Sequence, residues 1–153
     1  MTQSPDSLLI VDDDAMVRDL MLRYFSRFGF NAFTESSGAS ALDWIDSHHV
    51  DLVLLDIEMP GMNGLDVLRT LRKTYTQEQL PVIMVTGKAS SDDVEIALAA
   101  GANDYVTKPI GFPSLISRIQ IQLSRKHAKE AIRQREEPCT LPATRDASKA
   151  YDN

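Results

Sequence analysis

Four short strand-like runs, each followed at once by polar side chains, constrain this chain more than any other feature. Leu8 to Val11 leads into Asp12 and Asp13, Leu52 to Leu55 into Asp56, Val82 to Val85 into Thr86, and Tyr105 to Thr107 into Lys108. The stretches between them carry apolar residues at the three- and four-residue spacing of a helix. Where strands alternate with helices the sheet is parallel, and side chains just past the strand C-termini gather in the crevice where such folds bind ligands. Three carboxylates, a hydroxyl and an ammonium are thereby directed to one place.

The individual elements follow from the same pattern. Ala15, Val17, Leu20, Met21, Tyr24 and Phe25 recur as one face of a first helix, which Gly29 stops. Asp14 reads as its N-cap. Asn31 to Thr34 reads as an edge-like second strand, followed by a helix that would lay Ala41, Leu42, Trp44 and Ile45 on the sheet, with Trp44 as a core candidate. Leu52 to Leu55 and Val82 to Val85 are apolar without alternation, as central parallel strands covered on both faces are. Asn63 to Lys73 is helical, and Ser90 with Asp93 marks a capped helix start whose helix runs to Gly101. The last helix starts near Gly111 or Pro113 and meets no breaker before Pro138, so the sequence predicts an extended C-terminal helix. Five strands and five helices in alternation predict an α/β, flavodoxin-like (βα)5 doubly wound parallel sheet of order 2-1-3-4-5, which sets Asp12-Asp13 opposite Asp56 at the switch point.

These residues, together with Pro60 and Gly64 after Asp56 and Pro109 after Lys108, make the chain resemble the receiver domain of bacterial two-component response regulators, of the chemotaxis type. The resemblance spans residues 7–125, with 126–137 as a helical extension or linker and 138–153 as a disordered tail. It implies that Asp56 accepts a phosphoryl group from a histidine kinase, from a phosphotransfer protein, or from a small phosphodonor. It further implies that Asp13 ligates Mg²⁺ directly, that Asp12 assists through water, and that Asp56 and the Glu58 backbone carbonyl complete the protein ligands. Thr86 and Lys108 would hold the remaining phosphoryl oxygens, and Thr86 with Tyr105 would form the switch. The Lys108–Pro109 bond is commonly cis in this family. By the same resemblance Glu58 and Lys88 would flank the path of the hydrolytic water, and their opposite charges suggest a rate-tuning pair across the mouth of the site.

Electrostatics supplies an independent reason for a cation. Two carboxylates about 4 Å apart repel by ~4 kcal/mol at an effective dielectric of 20. A hard dication with oxygen ligands relieves that repulsion, and Mg²⁺ suits a few carboxylates, waters and a phosphate. The implied protein catalyses only its own phosphorylation and dephosphorylation. The competing reading is a Mg²⁺-dependent phosphohydrolase with an aspartyl-phosphate intermediate, but Glu58 stands where such enzymes carry a second aspartate, and no insertion could form a cap. A phosphorylation-independent module is the third reading, and it conflicts with a full set of site residues.

Composition sets outer limits. A chain of 153 residues with 43% hydrophobic and 25% charged residues suits one soluble domain. No apolar stretch approaches a membrane span and no signal peptide is evident, so a cytoplasmic protein is expected. Cys139 is the only cysteine, which excludes an intrachain disulfide. A net charge of −6 argues against direct nucleic-acid binding by this chain. His48, His49 and His127 read as solvated, and the mixed charges from Arg125 to Glu137 read as a solvated helix face. Ile121, Ala128 and Ile132 offer a weak seam for a homodimer. An output domain or effector is expected to contact Val94 to Ala100, Tyr105 and the C-terminal helix.

Overall fold

The computed structural model describes residues 4–88 and 90–136. The expected tail over 138–153, Cys139 and residue 137 of the helical extension lie outside the described residues. Among those described, the order is β1 (Ser7–Val11), α1 (Ala15–Arg27), β2 (Asn31–Glu35), α2 (Gly38–Ser47), β3 (Leu52–Leu55), α3 (Gly64–Arg72), β4 (Val82–Thr86), α4 (Ser91–Ala99), β5 (Asp104–Thr107) and α5 (Phe112–Glu136). The strands form one parallel sheet in the expected order β2-β1-β3-β4-β5.

The continuous apolar runs are explained by covering on both sides. Successive strand residues point to opposite faces. Leu9, Val11, Val53, Leu55, Val82 and Met84 join the core under α2, α3 and α4, with Val67, Leu68, Leu71 and Ala97. Leu8, Ile10, Leu52, Leu54, Ile83 and Val85 turn to the other side, against Met21 and Phe25 of α1 and Leu115, Ile116 and Ile119 of α5. Each such side chain stabilises by roughly 1.5–3 kcal/mol relative to exposure, so a polar residue inside these strands would be costly.

Helix ends follow local chemistry. Asp14 caps α1 by accepting the Met16 N–H at 2.9 Å, and Asn63 caps α3 through the Asp66 N–H at 3.0 Å. Ser90 accepts the Asp93 N–H at 3.1 Å while its own hydroxyl donates to Asp93 at 2.7 Å, a cap that ties both residues. Gly101, with φ of +110°, takes the left-handed conformation that ends α4.

Several side chains depart from the sequence expectation. Leu20 is 56% exposed, because it lies a quarter turn away from the stripe that buries Met21 and Phe25. Trp44 is half-buried; it stacks on His48 at 3.6 Å and leans on Phe33. His49 and His127 are paired with carboxylates, the first 2.8 Å from Asp51 and the second 2.9 Å from Asp6. Lys126, expected on a solvated face, is 4% exposed.

The sequence also gave no sign of the polar hub at the entrance to β4. Arg72 donates from Nε to the Gly101 carbonyl at 2.8 Å and from its two terminal nitrogens to the Leu80 carbonyl at 3.0 Å and the Asn103 side chain at 2.9 Å. Asn103 Oδ1 also accepts the Val82 N–H at 3.0 Å. The hub satisfies backbone groups that no ladder reaches. Burial pulls the Arg72 pKa down, as expected for a cation whose main partners are neutral carbonyls. Arg72→Ala should therefore lower unfolding stability in urea by about 1–3 kcal/mol, the cost of leaving such acceptors unpaired. An unchanged midpoint would show that water replaces the guanidinium without loss.

Candidate functional site

The strand order places β1 next to β3 where the winding reverses, so the residues just past both strands face one crevice. Asp12 and Asp56 are buried there, 3% and 5% exposed, while Asp13 is open to solvent. One carboxylate oxygen from each of the three lies within 4.8 Å of the others. Asp12 Oδ1 accepts the Asp14 N–H at 2.9 Å, and Asp56 Oδ1 accepts the Glu58 N–H at 3.1 Å. Each thereby keeps its second oxygen for the crevice.

That second oxygen meets the same cation in both cases. Lys108 Nζ lies 2.7 Å from Asp12 Oδ2 and 3.1 Å from Asp56 Oδ2. Lys108 is positioned by the sheet edge, where its N–H donates to the Thr86 carbonyl at 2.8 Å, and the Lys108–Pro109 bond is cis. Burial pushes the Asp12 carboxyl above the ordinary carboxylate value, and the Asp56 charge adds to this against the opposing pull of Lys108 and the Asp14 N–H. Burial disfavours the Lys108 ammonium, but its hydrogen bonds to Asp12 and Asp56 outweigh that and raise its pKa. One ammonium against three carboxylates leaves an excess of negative charge. The donor set is all oxygen, which is the chemistry a hard dication requires.

Thr86, at the end of β4, is fully buried, and its hydroxyl accepts the Lys88 N–H at 3.4 Å. Tyr105 on the neighbouring β5 donates its hydroxyl to the Lys88 carbonyl at 2.7 Å. Burial, then the charges of Asp93, Asp56 and Glu58, raises the Tyr105 phenol, which favours its role as a donor. The β4–α4 segment thus connects the threonine to the tyrosine through Lys88. Glu58 and Lys88 form no ion pair among the described residues; the Glu58 carboxylate lies near Gly87. The expected pairing across the mouth is therefore absent.

One contact escaped sequence reasoning, and Gly64, already singled out in the turn after Asp56, gains its physical reason. Arg18 donates to the Asp12 carbonyl at 2.7 Å, holding the loop that carries both acidic residues. Its position on the first turns of α1 was visible, but a surface arginine there carries no signal of its own. Gly64 is needed for close approach: a Cβ would lie 2.0 Å from the Asp56 carbonyl oxygen. The first turn of α3 can abut the end of β3 only without a side chain.

Residues 8–120 match the family described as the response regulator receiver domain. The chain is 40% identical over 125 residues to the transcriptional regulatory protein CpxR of Escherichia coli K12, covering 82% of this chain and 52% of that protein. It thus spans about half the length of the curated relatives it matches. Among solved structures, a CheY-like receiver domain protein from Methanospirillum hungatei JF-1 superposes with a TM-score of 0.77 at 29% identity, covering 82% of this chain and 99% of that one. The BeF3-activated N-terminal receiver domain of Klebsiella pneumoniae RstA gives 0.73 at 30% identity, covering 77% and 98%. These similarities favour a receiver over a phosphohydrolase. Because the family match runs through every strand that delivers a side chain to the crevice, the chain belongs to the receiver-domain family of two-component response regulators.

Proposed function

We propose that this receiver domain takes one phosphoryl group onto Asp56 in a Mg²⁺-dependent reaction, from a histidine kinase, a histidine phosphotransfer protein or a small phosphodonor. The observation that carries the reading is the Lys108 ammonium held between Asp12 and Asp56, beside the third carboxylate of Asp13. Asp13, Asp56 and the Glu58 carbonyl are assigned as direct ligands of the ion, with Asp12 acting through water. When bound, the ion neutralises the clustered carboxylates and the incoming phosphoryl oxygens.

The rest of the chemistry belongs to the chain. The Asp56 carboxylate attacks phosphorus in line, an O–P bond forms, and the bond from phosphorus to the donor breaks with its electron pair leaving on the donor atom. The transition state is loose and its charge is spread over the equatorial oxygens. Lys108 and the Thr86 hydroxyl stand ready to bind those oxygens, and preorganised donors of this kind supply most of the catalysis. The protein acts only on itself, in gaining and losing the group.

Signalling is assigned to the link from Thr86 through Lys88 to Tyr105. Movement of the Thr86 hydroxyl toward the phosphoryl group would disturb the Lys88 segment that Tyr105 grips. The element best able to respond is α4, whose only buried residue is Ala97, since lightly packed segments open at low free-energy cost. The output surface is accordingly Val94 to Ala100, Tyr105 and α5, for an effector, an output domain or a second copy. The receiver unit is assigned to residues 7–125 and the extension to 126–137, in a cytoplasmic setting. No described helix is long and apolar enough to cross a membrane.

Three outcomes test this reading. Intact-mass analysis after acetyl phosphate treatment should find one phosphoryl group per chain, abolished by Asp56→Asn and by EDTA; undiminished labelling of that variant would falsify the assignment. In amide NMR, beryllofluoride with Mg²⁺ should shift resonances of α4, Tyr105 and the start of α5, and a silent face with the fluoride bound would remove the switch from Tyr105. Lacking an ion pair, Glu58→Ala and Lys88→Ala should each change autodephosphorylation by about tenfold or less, equivalent to about 1.4 kcal/mol. Their effects should add in the double variant, whereas strong non-additivity would restore a coupled gate.

A further inference from the structure

The buried stripe of α5 begins as ordinary packing. Leu115, Ile116, Ile119 and Leu123 face the sheet, recurring three and four residues apart as one helix face requires. Lys126 occupies the next position on that face. From Ser124 to Arg135 it is the one buried residue of the helix, and the largest apolar side chain of this second half, Ile132, stays 44% exposed.

Charge takes over where the apolar stripe ends. The Lys126 side chain is 5% exposed, and its ammonium lies 3.4 Å from Asp51 Oδ1 and 2.8 Å from Glu130 Oε2. Asp51 stands just before β3, and its other oxygen accepts the Ser7 N–H of β1 at 2.8 Å. His49 Nε2 meets the same oxygen, Asp51 Oδ1, at 2.8 Å. Further along, His127 lies 2.9 Å from Asp6 and 3.6 Å from Glu130. His49, Asp51, Lys126, Glu130, His127 and Asp6 form one connected chain, which laces α5 to the lead-ins of β3 and β1.

The surroundings of Asp51 and Lys126 bear on how this contact holds. A cavity of about 270 Å³ adjoins it, lined by Ile45, Val50, Tyr75 and Leu80 together with Lys126 and Glu130, so the ammonium is not wedged in place by tight packing. Burial works against the Asp51 carboxylate, yet the Ser7 N–H, His49 and Lys126 hold its pKa below the ordinary value. The carboxylate is thus charged and partnered when the helix is docked. Residues 124–136 extend a helix already nucleated by its docked first half, so without tertiary support they rest on propagation alone, with s of about 1, and fray from the free end.

We infer that Lys126 and Asp51 form an ionic latch at the base of the sheet, which docks the second half of α5 and sets the direction in which this helix leaves the domain. The latch lies at the opposite end of the strands from Asp56. Release frees the helix beyond Leu123 while its first half stays packed on the apolar core.

Hydrogen exchange read by mass spectrometry on the whole chain decides the point. Lys126→Ala gains intrinsic helix propensity but loses the i,i+4 pair with Glu130, worth about 0.2–0.5 kcal/mol, so a self-supporting helix would exchange at close to the wild-type rate over residues 124–136. The latch requires at least tenfold faster exchange there, with residues 112–120 unchanged. Asp51→Asn alters no residue of α5 and should accelerate the same amides, and the double variant should go no further than the stronger single one. Wild-type rates over 124–136 in Lys126→Ala overturn the inference, as does a loss of protection spread through the whole domain. Should Asp51→Asn unfold through loss of the Ser7 contact, Lys126→Ala decides alone, because it leaves that acceptor in place.

Discussion

The central strands of this sheet have no face left for water, and most of the structure follows from that constraint. Leu8, Leu9, Leu52, Val53, Val82 and Ile83 are each completely buried, three toward one helical layer and three toward the other. A charge within such a strand would be desolvated with no partner in reach, at a cost of several kcal/mol. Polar chemistry is therefore expelled to the two rims of the sheet. The rim at the strand C-termini collects Asp12, Asp56, Thr86 and Lys108, and the rim at the N-termini collects Asp51, Lys126, Arg72 and Asn103.

The two rims solve different problems. At the C-terminal rim the carboxylates outnumber the one ammonium, and the imbalance suits a site that must take up a cation and an anionic phosphoryl group. Lys108 reaches across to Asp12 and Asp56 from the loop after β5, so it couples the two strands flanking the switch point. At the N-terminal rim the polar groups tie segments of the chain together: Arg72 meets carbonyls and an amide, and Lys126 joins Glu130 of its own helix to Asp51 before β3. The C-terminal rim differs in leaving a third carboxylate, Asp13, open to solvent.

Asymmetry between the helices carries the same distinction into motion. α3 buries Val67, Leu68 and Leu71, and Gly64 lets its first turn abut the end of β3. α4 buries Ala97 alone. The helix beside the acceptor strand is held firmly, and the helix next to Thr86 is held loosely. A receiver needs that arrangement, since chemistry demands a fixed acceptor and signalling demands a face with a second accessible state.

Local spacing along the chain carried the elements and the acidic site, and stopped at pairings between distant segments. The strand order, the capping roles of Asp14 and Ser90, the approach of Asp12, Asp13, Asp56 and Lys108, and the place of Thr86 at the end of β4 were legible, because each depends on local spacing or on which end of a strand a residue occupies. Leu20 and Trp44 were misjudged in degree, since periodicity gives a face but not the quarter turn within it. The buried Lys126, the Arg72 hub and the absent Glu58–Lys88 pair were not legible at all. Lys126 meets Asp51 across 75 positions of sequence, and Arg72 meets Gly101 across 29. A charged residue on a helix looks solvated until the packing of distant segments fixes what lies beneath it. Local chemistry thus determined the elements and the rim to which each reactive side chain belongs; only the tertiary structure decided which charges were buried and paired, because that depends on distances the chain sets by folding.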